Sequence, residues 1–218
     1  LRHDFADGAA FVDLAPLSGA TEVPEAIAQA VSLAEAPRRA PLDVVRSQLR
    51  ERHLLLVLDN LEHVIEAAPQ IADLLAACPR LFVLTTSRTP LCIRAEQVFS
   101  LDPLDVPEPM ADPAKIGDSG AVRLLVTRLQ AVQPTFALTG ESASHAAEVC
   151  RRLDGLPLAI ELVASNVAAH NLSDLVGQLE SSGLHALENG PRDLPDRQRT
   201  LRKALSWSHD RLNADDQR

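Results

Sequence analysis

The chain has 218 residues, a hydrophobic fraction of 46% and a formal net charge of −9, which suffices for one core plus a smaller helical unit. A nucleic-acid-binding surface needs a net basic face, so the acidic balance argues against direct nucleic-acid contact by this segment. No run of about 18 apolar residues occurs, which argues against a membrane span and favours a cytoplasmic protein. Because Leu1 opens the chain and Met110 is its only methionine, we expect a segment of a longer polypeptide.

The three cysteines are Cys78, Cys92 and Cys150. Their number is odd, their spacing is wide and no Cys-x-x-Cys pair is present, so the pattern favours reduced thiols over a disulfide frame or a zinc site. We expect all three to be buried and inert.

The first half of the chain alternates predicted strands and helices. Apolar runs predict strands over residues 8–14, 54–59, 81–84 and, more briefly, 97–101. Apolar side chains at helical spacing predict a helix capped by Thr21, one over 41–52, and one capped by Asn60 with a kink at Pro69. This alternation predicts an α/β fold with a mostly parallel sheet, helices on both faces and a ligand site at the carboxyl ends of the strands.

The second half is predicted to be helical. A proline-rich acidic connector spans 103–113, and amphipathic helices are predicted from Ser119, over 141–153, from Pro157 to about residue 169, and from Ser173. Glycine, proline and aspartate then indicate a linker over 183–196, followed by a last helix over 200–212.

The predicted site begins with Asp59, which ends a wholly apolar strand. A buried carboxylate is costly without a partner, so Asp59 either faces a cation such as Mg²⁺, caps the next helix or pairs with an arginine. The next strand ends in Thr85, Thr86, Ser87 and Arg88. Arg88 could bind phosphate oxygens with its guanidinium or be an ordinary surface residue. The hydroxyls could contact water or phosphate, although hydroxyls at strand ends more often satisfy local backbone groups. Together the two strand ends predict a polyphosphate site.

Two features restrict the chemistry at this site. Asn60 stands where many hydrolytic ATPases place a glutamate, and an amide cannot take a proton from water at neutral pH. Turnover should therefore be slow, unless Glu62 substitutes as the base. The glycines and the only lysines, Lys115 and Lys203, form no Gly-x-x-x-x-Gly-Lys-Ser/Thr loop to hold phosphates.

Four segments occur in a characteristic order: LLLVLDNLEH over 54–63, FVLTTSRTPL over 82–91, RRLDGLPLAIEL over 151–162 and RQRTLRKALSWS over 197–208. In this order they resemble the NB-ARC-like ATPase module of bacterial STAND-class NTPases, which occurs in antibiotic-regulatory and LuxR-type transcriptional regulators. On its own, Gly155 followed by Pro157 would be an ordinary glycine turn before a helix.

The resemblance implies a role for each matching residue. Asp59 would be the Walker B aspartate that holds Mg²⁺ through water. Asn60 and Thr86, which adjoin the ends of the same two strands, are further candidates for the nucleotide site. Arg88 would be a sensor that reads the γ-phosphate. Gly155 and Pro157 would form the Gly-x-Pro motif, whose proline contacts the adenine region.

The same resemblance implies the domain organisation. Residues 1–112 would be a nucleotide-binding α/β domain of the P-loop NTPase type without its first strand and Walker A loop, and 118–182 a helical domain. Residues 183–196 would be a linker, and 197–218, with Trp207, the start of a winged-helix domain.

The implied function is that of an ATP/ADP signalling switch in a bacterial transcriptional regulator. The cofactors would be ATP or ADP with Mg²⁺, bound only by the complete protein, because without a phosphate loop this segment should bind nucleotide weakly or not at all. At most it would be a slow regulatory ATPase. Its partners would be its own DNA-binding or effector domains elsewhere in the chain and, on activation, further copies of itself.

Two other classes of function remain open. A phosphoacceptor receiver domain also places an aspartate and a threonine at neighbouring strand ends, but it needs a lysine after the next strand and none lies between Arg88 and Lys115. A scaffold that kept the fold for protein interaction and lost nucleotide chemistry is the second alternative.

Overall fold

The computed structural model of the chain describes residues 4–33, 39–109, 112–166 and 172–182. The chain divides into two compact units, residues 1–99 and 100–218, and the domain boundaries expected near 112 and 118 stay predictions. The predicted linker over 183–196, the helix over 200–212 and the start of a winged-helix domain lie outside the described residues.

The first unit is built on a three-stranded parallel sheet. Its strands are β1 (Ala9–Asp13), β2 (Leu54–Asp59) and β3 (Leu81–Thr85), in the order β1-β2-β3. The register places Asp13 beside Asp59 and Leu58 beside Thr85, so all three strands end at the same edge. This confirms the predicted α/β class and parallel sheet, and it explains the apolar run of β2, which is the central strand.

Helices pack against one face of this sheet. They are α1 (Val23–Ala30), which follows a 3-10 turn at Ala20–Glu22, α2 (Pro41–Leu49) and α3 (Ala68–Ala77). The shared core is formed by apolar side chains of the strands and helices, among them Val12, Leu56, Leu58, Ile27, Leu49, Ile71 and Leu74. Thr21 lies inside the 3-10 turn, so it does not cap α1 as predicted.

No helix covers the other face of the sheet in the described part of this unit, although the rings of Phe5 and His53 pack against Phe82 at 5.4 and 5.9 Å between ring centres. Phe11 is 61% exposed, Phe82 53% and Leu84 52%, and the register places Phe11 and Leu84 on either side of Val57. The prediction of helices on both faces is therefore wrong for these residues. The alternation of strand side chains puts one set into the helical core and leaves the other set without a covering helix among the described residues.

The segment after β2 is not the continuous helix that was predicted. Asn60 adopts the left-handed conformation (φ 63°, ψ 52°), and a 3-10 helix follows over Leu61–Ala67 with non-helical backbone at Val64. The α-helix starts only at Ala68, which places Pro69 in its first turn. A proline there loses no helical hydrogen bond, so it marks the start of a helix and not a kink.

Residues 97–101 form no strand, which contradicts the prediction. Val98, Phe99 and Leu101 are instead exposed. A strand is stable only with a hydrogen-bonded neighbour, and none of the described strands pairs with this segment.

The second unit is helical, as predicted. Its helices are α4 (Pro113–Ile116), α5 (Gly120–Val132), α6 (Gly140–Arg152), α7 (Pro157–Asn166) and α8 (Leu172–Ser182). Leu125, Leu129, Cys150 and Ile160 are fully buried in its core. Within the described residues no helix is long and apolar enough to cross a membrane.

The connector before α5 is tied to the helices of the second unit. Ser119 precedes α5 but does not cap it with its side chain; its hydroxyl donates to the carbonyl of Asp105. The carboxylate of Asp105 accepts the N–H of Gly120 at 3.0 Å. The capping oxygen thus comes from a residue far upstream of the helix, which no local sequence pattern indicates.

Candidate functional site

Asp59 lies at the carboxyl end of the central strand and is held by two side chains. One oxygen, Oδ1, accepts the hydroxyl hydrogen of Thr86, and the other, Oδ2, accepts the side-chain amide of Asn60 at 3.0 Å. In the described residues these contacts, and not an arginine, are the side-chain partners of Asp59. Asn60 uses its amide on Asp59 and does not cap the following helix with its side chain.

Thr86 joins the ends of β2 and β3. Its backbone N–H donates to the carbonyl of Leu58, and its own carbonyl accepts the N–H of Leu61, both at 3.0 Å. Its hydroxyl oxygen also accepts the backbone N–H of Asn60 at 3.0 Å while its hydrogen goes to Asp59. The left-handed turn at Asn60 brings two successive N–H groups to Thr86, so the two strand ends are braced together.

Arg88 and Glu62 form an ion pair at this sheet edge. The distance from Arg88 Nε to Glu62 Oε1 is 3.5 Å, and the side chains are 36% and 13% exposed. Glu62 lies in the first turn of the 3-10 helix that follows Asn60. The carboxylate that was considered as a substitute base is therefore engaged with the predicted sensor arginine.

Mg²⁺ is compatible with the donors at this edge. The ion prefers oxygen ligands, keeps several of its waters and is usually bound by one or two carboxylates together with substrate phosphates. Each carboxylate oxygen has two lone-pair directions, so Asp59 can contact a hydrated ion while it accepts from Thr86 and Asn60. Across the described ranges, no three His, Cys, Asp or Glu side chains form a metal-binding cluster.

Gly155 and Pro157 belong to the second unit, whereas the residues above belong to the first. Gly155 has φ +65°, and a β-carbon there would overlap the carbonyl oxygen of Leu104. Leu104 also donates its N–H to the carbonyl of Gly155 at 3.0 Å. The glycine is thus required by the backbone of this unit, and this contact was not predicted because Leu104 is distant in sequence.

Pro157 is exposed and begins α7. The first helical position suits proline because the N–H that it lacks would have no helical acceptor there. The local structure therefore accounts for the proline as a helix start, and its contact with nucleotide stays a prediction.

Comparison with known proteins found no matching family model. The chain is 36% identical over 212 residues, 97% of its length, to a Mycobacterium tuberculosis protein that carries the provisional name HTH-type transcriptional regulator. A Mycobacterium bovis protein with the same provisional name matches equally well. A further M. tuberculosis protein, whose name assigns no function, is 32% identical over 211 residues. The chain spans 23% of the length of the first two relatives and 50% of the third.

Proposed function

We propose that this chain is the nucleotide-responsive segment of a bacterial transcriptional regulator. In the complete protein it binds ATP or ADP with Mg²⁺ and couples the bound nucleotide to the arrangement of its helical unit. DNA contact belongs to other parts of the regulator, because this segment carries a net charge of −9. The provisional names of the mycobacterial relatives support the regulator role.

The observation that carries the nucleotide proposal is the arrangement at one edge of the parallel sheet. Asp59 and Thr86 form a hydrogen bond across the ends of β2 and β3. Arg88 lies two residues after Thr86, just beyond the end of β3. The carboxyl edge of a parallel sheet is where open α/β folds bind ligands. An aspartate, a hydroxyl and a guanidinium at this edge match the chemistry of a metal-bound polyphosphate.

Each residue then has a defined part. Asp59 holds the waters of Mg²⁺, Thr86 fixes the Asp59 carboxylate, and Arg88 binds the terminal phosphate of ATP, which ADP lacks. Mg²⁺ supplies charge neutralisation on the phosphate oxygens when it is bound. Asn60 provides no base, which favours a slowly hydrolysing switch over a metabolic enzyme.

The test measures nucleotide binding to the natural polypeptide at its full length, by isothermal titration with ATP and ADP, in Mg²⁺ and in EDTA. Asp59→Ala is expected to remove the Mg²⁺-dependent part of ATP affinity. Asp73→Ala is the matched control, because Asp73 is an exposed aspartate of α3 whose ion pair with Arg46 should contribute little. Affinity that is unchanged by Asp59→Ala or by EDTA would contradict the magnesium assignment.

The Gly-x-Pro motif has a separate test in the same assay. If Pro157 contacts the adenine region, Pro157→Ala should weaken ATP and ADP equally, since both carry the same base. Unchanged affinity for both nucleotides would leave Pro157 as a helix start only.

The sheet face that no described helix covers favours a second function, a protein-interaction scaffold without nucleotide chemistry. Phe11, Phe82 and Leu84 together expose an apolar surface, and exposed apolar patches mark interaction sites. The titration above separates the two functions. A full-length protein that binds neither nucleotide would favour the scaffold.

A further inference from the structure

The ion pair between Glu62 and Arg88 joins two residues that are distant in the sequence. Its two partners follow different strands, and Glu62 is the more enclosed of the two, at 13% exposure. A carboxylate that is largely withdrawn from water needs a charged or hydrogen-bonding partner. Arg88 supplies that partner, so the position of each side chain depends on the other.

The backbone fixes this pairing. The N–H of Leu61, the residue before Glu62, donates to the carbonyl of Thr86, which is two residues before Arg88. The left-handed Asn60 then lets the chain turn into the 3-10 helix whose first turn carries Glu62. The same hydrogen bonds that hold Thr86 against Asp59 and Asn60 therefore set the distance between Glu62 and Arg88.

We propose that Glu62 is a positioning residue for Arg88: it holds the guanidinium at the sheet edge in the orientation that meets the terminal phosphate of ATP. This inference rests on the proposed nucleotide function. The guanidinium is planar and carries five N–H donors, so an arginine contacted at Nε can engage a second anion through its other donors. Glu62 then acts through Arg88 and not as a base on water.

The pairing also has an electrostatic consequence. Without Arg88, the carboxylate of Glu62 would place a negative charge near the incoming phosphate and repel it. With Arg88 between them, the two anions share one cation. Loss of Arg88 should therefore affect ATP, which carries the additional phosphate, more than ADP.

The experiment measures the ratio of ATP to ADP affinity of the natural full-length polypeptide in Mg²⁺, for Glu62→Gln, Arg88→Ala and the double variant. Glu62→Gln keeps the shape of the side chain and removes its charge, and it is expected to lower the ratio by up to about fivefold, the upper range of a partly exposed ion pair. In the Arg88→Ala background the same change should not lower the ratio further and should raise it slightly, because it removes the charge that repels the phosphate. Glu66→Gln is the control, since Glu66 is an exposed glutamate of the same 3-10 helix.

A second variant covers the case in which Glu62→Gln fails to fold, as judged by circular dichroism. Glu62→Asp keeps the charge but shortens the side chain by one methylene, and its affinity ratio should also fall below that of the parent. If every folded Glu62 variant keeps the parent's ratio of ATP to ADP affinity while Arg88→Ala strongly lowers it, the positioning role is overturned but the proposed function is not. A lowering of the ratio by Glu62→Gln that persists without Arg88 would also overturn the positioning role. An unchanged ratio in Arg88→Ala, or a parent that binds no nucleotide, would instead overturn the proposed function.

Discussion

The carbonyl oxygen of Leu104 occupies the space that a β-carbon on residue 155 would need. Gly155 has φ +65°, and its carbonyl accepts the N–H of Leu104 at 3.0 Å. The proline-rich connector thus packs directly against the turn between α6 and α7. Only glycine satisfies both the left-handed backbone and this close approach.

Gly155→Ala is expected to destabilise the protein. The left-handed conformation of a non-glycine residue costs about 1–3 kcal/mol, and the overlap with the Leu104 carbonyl adds to this because a backbone atom cannot move aside easily. Urea unfolding followed by circular dichroism measures the loss as a lower midpoint.

Gly177→Ala is the matched control for that change. Gly177 lies inside α8, and a β-carbon there would meet nothing within 4 Å. Alanine in an exposed helix interior is more favourable than glycine by about 1 kcal/mol, so the midpoint should rise slightly. Equal effects of the two substitutions would show that the contact with Leu104 is not restrictive.

Thr86→Val tests the side-chain hydrogen bonds that join the ends of β2 and β3. Valine has nearly the shape of threonine but cannot donate to Asp59 or accept from Asn60. The net loss of stability should be about 2 kcal/mol, the lower end for the loss of two exposed hydrogen bonds, since an ordinary one contributes about 0.5–1.5 kcal/mol and one to a carboxylate about 1.5–3 kcal/mol. If Asp59 binds Mg²⁺, the Mg²⁺-dependent part of ATP affinity should fall as well, because the carboxylate is no longer held in place.

Thr85→Val provides the comparison for this substitution. Thr85 is the preceding residue, lies beside Leu58 in the sheet and makes no side-chain hydrogen bond with the described residues. Its replacement should leave both urea stability and magnesium dependence close to parental values. Equal losses of stability in the two variants would indicate a general disturbance of β3 and not the loss of the Thr86 hydrogen bonds.

The strands and the helical second half could be predicted from sequence because their signal is local. The apolar run that ends in Asp59 is typical of a central parallel strand, whose two faces are both expected to be covered. The expectation that helices cover both faces of the sheet was wrong for the described residues. Whether a second layer covers Phe11 and Leu84 depends on residues that pack from elsewhere, and the strand sequence does not contain that information.

The site could be predicted in part for the same reason. The parallel register brings Asp59 and Thr86 to one edge, which the order of strands alone suggests. The pairing of Glu62 with Arg88 depends on the left-handed conformation of Asn60, and the helical pattern from Leu61 to Leu75 gives no sign of it. Likewise, the need for glycine at 155 comes from Leu104, which no local pattern connects to it.

The cysteines differ from one another, contrary to the prediction that all three are buried. Cys92 is exposed, with φ 57°, whereas Cys78 and Cys150 are buried. Burial raises the pKa of Cys150 to about 12, against the opposing charge of the nearby Arg151. Burial also raises the pKa of Cys78, against the opposing charges of Arg46 and Arg50.

These differences predict selective alkylation. The thiolate is the reactive form, and with a pKa near 12 only about one Cys150 in ten thousand carries it at pH 8. Iodoacetamide at pH 8, followed by peptide mass spectrometry, should therefore label Cys92 in the folded protein and all three cysteines in urea. Cys92→Ser should abolish labelling of the folded protein, and modification of Cys150 at the rate of Cys92 would contradict its burial.

The raised pKa of Cys150 also predicts how stability depends on pH. The folded state keeps this thiol protonated, whereas the unfolded state releases the proton at the ordinary pKa of 9.0. The stabilising contribution is thus complete below pH 9 and is lost progressively as the pH rises from 9 towards 12. Cys150→Ala should be less stable than the parent at pH 8, because alanine leaves a cavity. The variant has no thiol to titrate at this position, so it should lose less stability between pH 9 and 11. Urea midpoints at both ends of that range measure the difference, and parallel pH profiles would show that the thiol does not control alkaline stability.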